Sequence, residues 1–251
     1  MAKKPATPRS RFRFREVNSP ADQLERFISQ PRFASYVEAC DGDRNRAVEL
    51  YHWTGEVAGA LLVDFRHLEV IVRNHIHWAL RDHVAANHPT ISGEWFENES
   101  WVKHRWWNPD AQRELDRAQE KAGGPGVRVD RVIAELPFGF WRYLLASRYE
   151  QSFWTPALDG SFTNIPGKTP RERRFMIEQE MIALHRLRNR LAHHQPIFKP
   201  QMRRGPGGTK IEVPLQRQHD GLLHVLGWID PKLPTLVMER SIVKELLTKQ
   251  P

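Results

Sequence analysis

Apolar residues recur at three- and four-residue intervals along most of this chain, and period-two alternation is nearly absent. The spacing predicts helices. The first opens at "SPADQLERFI", with Ser19 as N-cap and Pro20 at the first helical position. Helical patterning continues through "RFASYVEAC" and stops near "DGD". Residues 43–85 hold no proline and read as one long helix or two in succession, with Gly55 and Gly59 marking a break or a close helix contact. A charged helix is expected near 109–122, closed by "GGPG" at 123–126. Another spans 127–151, interrupted by Pro137 and Gly139, and "WTPALDGSFTNIPGKTP" reads as loop. The strongest helix is "TPRERRFMIEQEMIALHRLRNRLAHH", where Thr169, Pro170 and Glu172 spell a capping box. Beyond Pro196 the chain loosens through "KPQMRRGPGGTKIEVP", and two helices close it near 215–229 and 234–248. The pattern predicts an all-α bundle: a single helical domain over 20–251, preceded by a flexible basic arm at 1–19.

Charge narrows the choice of partner. Lysine and arginine total 38 against 30 aspartates and glutamates, a formal net charge of +8. Such a surface favours polyanions, nucleic acid first. Cys40 is the only cysteine, so neither an internal disulfide nor a cysteine-based zinc site is expected, which suits a cytoplasmic location. No apolar window of about 18 residues predicts a membrane span. The aromatic block at 95–107, with Trp95, Phe96, Trp101, Trp106 and Trp107, suits internal packing or a partner surface.

Two helices carry an Arg-Asn pair followed by histidine: "RNHIH" at 73–77 and "RNRLAHH" at 188–194. At 100° per residue, Arg66, Glu69, Arg73 and His77 fall in one stripe about 80° wide. The rest of that helix is largely apolar, which predicts burial, so its polar stripe must pair or line a pocket. Glu69 and Arg73 are spaced to pair along the helix. On the later helix Met181, Leu184, Leu187 and Leu191 form the core face. Arg188 sits at its margin and requires an anionic partner or pocket. Asn189 and His193 share a second stripe, and Arg188 and His193 lie about 140° apart on an ideal helix. They converge only where the helix turns at its end, and Pro196 biases Gln195 toward such a turn.

These residue types suit phosphate chemistry. Guanidinium binds phosphate oxygens bidentately, imidazole moves protons near neutrality, and asparagine orients either group. Together they suffice for metal-free RNA cleavage, in which a 2′-hydroxyl attacks the adjacent phosphorus. Neither "HHQP" nor "HLEVIVRNHIH" contains His-Glu-x-x-His, and no P-loop spacing occurs, so no metal or nucleotide cofactor is expected.

Three blocks resemble the Abi-like (abortive infection) family of bacterial phage-defence proteins, within the HEPN superfamily. They are "YHWTGEVAGALLVDFRHLEVIVRNHIHWAL", "LPFGFWRYLL" and "RNRLAHHQPIF", and the likeness covers roughly residues 20–230. It implies a HEPN-like bundle with additional peripheral helices. The family's nuclease motif is an arginine, a polar residue and a histidine a few positions on, which Arg188, Asn189 and His193 match, with His194 as the alternative histidine. The likeness implies a homodimer with facing motifs, an RNA substrate and, among relatives, a restraining small RNA. It also implies that Arg73, Asn74 and His77 line the same cleft, supported by Glu69 and Arg190. Two other readings of the same residues are a non-catalytic RNA-binding module and a protein-interaction or phage-sensing module.

Overall fold

The computed structural model describes residues 19–87, 94–96, 108–124, 126–204 and 209–251. The expected arm at 1–19, Ser19 apart, and Trp101, Trp106 and Trp107 lie outside the described residues. Among the described residues helices dominate, with a two-stranded hairpin, consistent with the expected all-α class. The chain divides into two compact units: residues up to Trp53 together with Gln250–Pro251, and Thr54–Lys249. The boundary falls inside a continuous helix, with no shift in composition.

The first unit holds α1 (Pro20–Ile28), α2 (Gln30–Ala39) and the start of α3 (Arg44–Asn87). Ser19 caps α1, its hydroxyl accepting from the Asp22 amide at 3.2 Å. Ser29, at φ 82°, breaks the chain between α1 and α2. Phe33, Tyr36, Cys40, Ala47 and Leu50 are buried, and Arg44 bridges Asp22 and Glu25 at 3.1 and 2.9 Å.

In the second unit α3 continues unbroken to Asn87. Leu61, Phe65, Leu68, Val72, Ile76 and Leu80 are all buried, at helical spacing. The expectation that its largely apolar circumference is buried fails in part: Leu62, Val63, Val70 and Trp78 are exposed. Apolar residues occupy the outer side of α3 as well as the inner, so a count of apolar positions overstates its burial. Gly55 and Gly59 neither break the helix nor permit a close contact, since a Cβ at either position meets nothing within 4 Å. They therefore carry only the entropic penalty of glycine. Gly55→Ala and Gly59→Ala are each expected to stabilise the chain by about 0.5–1 kcal/mol. Thermal melts of the two single variants check this, and an unchanged or lower midpoint would refute it.

Three elements follow: α4 (Pro109–Ala122), α5 (Val129–Glu135) and α6 (Phe138–Leu144). The helix expected over 127–151 is thus split at Leu136–Pro137, where the proline N–H is missing. A 3₁₀ turn (Ser147–Tyr149) leads into a π-helix (Glu150–Leu158), where loop was expected from Trp154 onward. The Asp159 amide donates to Trp154 O at 2.8 Å, a five-residue reach that accommodates Pro156. Burial of Tyr149, Phe153, Trp154 and Leu158 outweighs the local proline signal. Trp154 stacks on Phe162 with centroids 5.8 Å apart, and its Nε1 donates to Pro170 O.

Helix α7 (Pro170–Ala192) opens on the expected capping box of Thr169 and Glu172. Its Ile177, Met181, Leu184, Leu187 and Leu191 are buried. Arg174 is buried too: its Nε meets Glu150 at 2.9 Å, and its Nη1 meets Glu178 at 2.5 Å and Leu145 O at 3.2 Å. The segment after α7 forms an antiparallel hairpin, β1 (Gln201–Arg204) and β2 (Lys210–Val213), with Gln201 opposite Val213. Such short strands, with Met202 and Ile211 exposed, carry too little alternation to be read from sequence. Arg203 grips Glu180 of α7 with two hydrogen bonds, at 3.0 and 3.2 Å. Then come α8 (Leu215–Ile229), which packs on α7, followed by α9 (Leu233–Met238) and α10 (Val243–Leu247). The last two replace the single closing helix expected at 234–248.

Candidate functional site

A cleft of about 480 Å³ opens between α4, α6 and α7. Asn108 ties two of these helices together. Its Oδ1 accepts from the Asp110 amide at 2.9 Å, capping α4, while its Nδ2 donates to the Tyr143 hydroxyl at 2.7 Å on α6. Phe138 and Tyr143 give an aromatic wall, Arg142 a basic one, and α7 contributes His185, Arg188 and Asn189. On α7 these three lie within about 100° of one another, because 185, 188 and 189 share one helical face. Asp110 and Glu114 line the α4 side and are already paired with Arg113 and Arg117.

The anionic partner that Arg188 requires is Glu69 on α3. Arg188 Nε meets Glu69 Oε1 at 2.9 Å, so Glu69 pairs across helices rather than with Arg73 along its own. Only the inner edge of the guanidinium is engaged this way. Arg142 lies over the Tyr143 ring at 5.5 Å, and its Nε is buried without a hydrogen-bond partner. Burial holds the Arg142 guanidinium below its ordinary pKa. A cation so placed gains from an incoming anion.

His185 carries no motif in the sequence, although it sits four residues before Asn189 on the same stripe. Its ring lies against Gly139, where a Cβ would stand 3.2 Å from Nε2, and 6.0 Å from the Phe138 ring centroid. Asn189 Nδ2 approaches Nε2 at 3.4 Å. Burial first, then the charges of Arg142 and Arg188, lower the His185 pKa; Glu69 opposes them.

The other sequence candidates lie elsewhere. His193 is the C-cap of α7 and exposed. It stays one turn beyond Asn189, its amide donating to Asn189 O at 3.0 Å, but it does not line the cleft. His194 adopts φ 52°; its amide donates to Leu191 O and that of Gln195 to Arg190 O. This is a Schellman turn with histidine in the place that usually favours glycine. The turn anticipated before Pro196 therefore exists, and it leaves both histidines exposed at the helix end. Arg190 reaches the carbonyls of Pro196 and Lys199 at 2.7 and 2.8 Å, so it holds the following chain. Arg73 approaches the Asn74 side chain and Ala134 O at 3.4 and 3.5 Å. His77 is buried, its Nδ1 accepting from Trp95 Nε1 at 3.0 Å, and burial lowers its pKa. Neither Arg73, Asn74 nor His77 lines the cleft. Trp95 and Phe96 are buried, so the described part of the aromatic block is packing.

A second polar cluster joins two helices and the turn between α9 and α10. Asp64 Oδ2 of α3 accepts from Ser241 Oγ at 2.6 Å and lies 2.8 Å from His219 Nε2 of α8. The serine addresses the aspartate rather than the histidine, so His219 has no hydroxyl to deprotonate, and the cluster reads as a buried staple. Among the described residues no group of three or more His, Cys, Asp or Glu side chains is placed to hold a metal ion. No described helix is long and apolar enough to cross a membrane.

Fold and site thus define a mainly helical protein with a basic, aromatic-walled cleft. The chain matches no protein-family model, no curated protein and no solved structure.

Proposed function

We propose that this protein is a metal-independent endoribonuclease of HEPN type, acting in the bacterial cytoplasm in abortive-infection phage defence. One observation carries the reading: Arg188 and Asn189 open side by side into a cleft with a second arginine and three aromatic rings. Arginine terminal amines suit phosphate oxygens, and the rings suit a base. With Glu69 on its Nε, Arg188 keeps both terminal amines for a phosphate. In the reaction the 2′-hydroxyl attacks the neighbouring phosphorus, giving a 2′,3′-cyclic phosphate and a 5′-hydroxyl. Arg188 stabilises the charge that builds on the phosphoryl oxygens, Asn189 orients, and a histidine takes the proton. The family resemblance points to His193 for that last task. It also points to pairing of two copies, which the exposed apolar side of α3 supports, and to a restraining small RNA.

The test is incubation of the purified chain with total RNA, with and without EDTA, followed by mapping of the ends. Cleavage that survives EDTA and leaves cyclic phosphate is the expected result. Loss of cleavage in EDTA, or salt-sensitive binding that leaves the RNA intact, would refute the enzymatic reading.

A further inference from the structure

The histidine that the family pattern selects and the histidine that the cleft contains are different residues. His193 stands exposed at the C-cap of α7 and is not part of the cleft lining, whereas His185 is half-buried beside Arg188 and Asn189. We propose that His185, not His193, is the proton acceptor in the cleft, positioned by Gly139 and Asn189 between the guanidinium groups of Arg142 and Arg188. This assignment rests on the endoribonuclease reading above.

Four observations carry it. First, the ring is closely seated: a Cβ on residue 139 would lie 3.2 Å from Nε2 and 3.4 Å from Cε1, so any larger residue there pushes the imidazole aside by a few tenths of an ångström. Gly139 has ordinary helical geometry within α6, so the constraint is contact rather than backbone strain. Second, the Asn189 amide approaches Nε2 at 3.4 Å. With that amide donating, the lone pair is on Nε2 and the ring proton on Nδ1. So long a hydrogen bond is readily replaced by a substrate hydroxyl. Third, the cations are arranged for an anion. Arg142 on α6 has a buried Nε without a partner, and Arg188 offers its outer edge. Fourth, the charged groups around His185 favour a neutral ring. Arg142 from α6 and Arg188 from α7 oppose a proton, and Glu69 from α3 favours one but is engaged by Arg188. Across the cleft on α4, Asp110 and Glu114 are held by Arg113 and Arg117. A ring neutral at pH 7 is a base ready to accept.

The step balances. The 2′-hydroxyl proton passes to His185 Nε2 as the O2′–P bond forms. The P–O5′ bond breaks, and the departing oxygen takes a proton from water. The imidazolium then returns its proton to solvent.

The experiment measures cleavage of a defined oligoribonucleotide in EDTA from pH 4.5 to 8.5, for the full chain and for His185→Gln, His185→Ala, His193→Ala and Gly139→Ala, each checked for folding by circular dichroism. For the unaltered chain, kcat/KM should fall on the acid side with a midpoint below the ordinary imidazole value, since protonation removes the base. His185→Gln and His185→Ala should lose about 10²–10⁴-fold in rate, the range for one general base. Any residual rate in His185→Gln should lack the acid limb. In His193→Ala the limb should remain at the same midpoint, whatever the rate. Gly139→Ala, which displaces the ring while leaving Arg188 in place, should lower the rate by a smaller factor. A folded His185→Gln that cleaves at the unaltered rate, or that keeps the acid limb, would overturn the assignment while leaving the endoribonuclease reading intact. An unaltered chain that does not cleave RNA would overturn both.

Discussion

Replacing Arg174 with alanine is expected to destabilise the second unit by about 3–5 kcal/mol, the usual consequence of removing one partner from a buried ionic network. Arg174 is 4 % exposed, and its guanidinium serves Glu150, Glu178 and the Leu145 carbonyl together. Its loss strands two largely buried carboxylates and one carbonyl. It also releases the π-helix that starts at Glu150 from α7. Urea unfolding of Arg174→Ala beside the unaltered chain measures the effect. A change below 1 kcal/mol, near the value for exposed ion pairs, would show that the network is not structural. Arg174→Lys should recover only part of the loss, because an ammonium lacks the fork that addresses two carboxylates at once.

Arg188→Ala should do the reverse: little to stability, much to chemistry. Its pair with Glu69 is partly exposed, with side-chain exposures of 38 % and 31 %, so breaking it should cost less than about 1 kcal/mol. If the guanidinium holds the reacting phosphate, its removal should lower kcat for RNA cleavage by about 10²–10³-fold, as for loss of one donor to a developing oxyanion. Cleavage kinetics and a thermal melt on the same preparation separate the two effects. A folded Arg188→Ala that cleaves at the original rate would remove Arg188 from the site.

Local signals were the legible part of the structure. Ser19–Pro20 and Thr169–Pro170–Glu172 fix helix starts because a cap is satisfied within three residues of itself. The buried row on α7 followed from its leucine spacing. What escaped depends on distant partners. His77 shares a stripe with Arg73, yet its ring is taken by Trp95, eighteen residues further on in a stretch that looks like loop. The π-helix defies the Pro156 signal because aromatic burial supplies what backbone hydrogen bonding lacks. Arg142 lies in the "LPFGFWRYLL" block, but nothing in that block marks it as a cleft residue; it enters the cleft because α6 lies against α7. His185 is the instructive case. It stood on the Asn189 stripe one turn earlier, so its placement was available from helical angles alone, but a pattern running from arginine to a later histidine looks only forward.

Helix α7 also writes two messages in one period. Its leucines face the core, while His185, Arg188 and Asn189 face the cleft, and both sets depend on the same 100° step. A single residue inserted between Leu187 and Arg188 would rotate everything beyond it by about 100° and take Leu191 off the core face as it swept Asn189 out of the cleft. Core and cleft thus share one spacing in this helix. A substitution at the cleft removes one contact, but a gain or loss of length here removes fold and chemistry in one stroke.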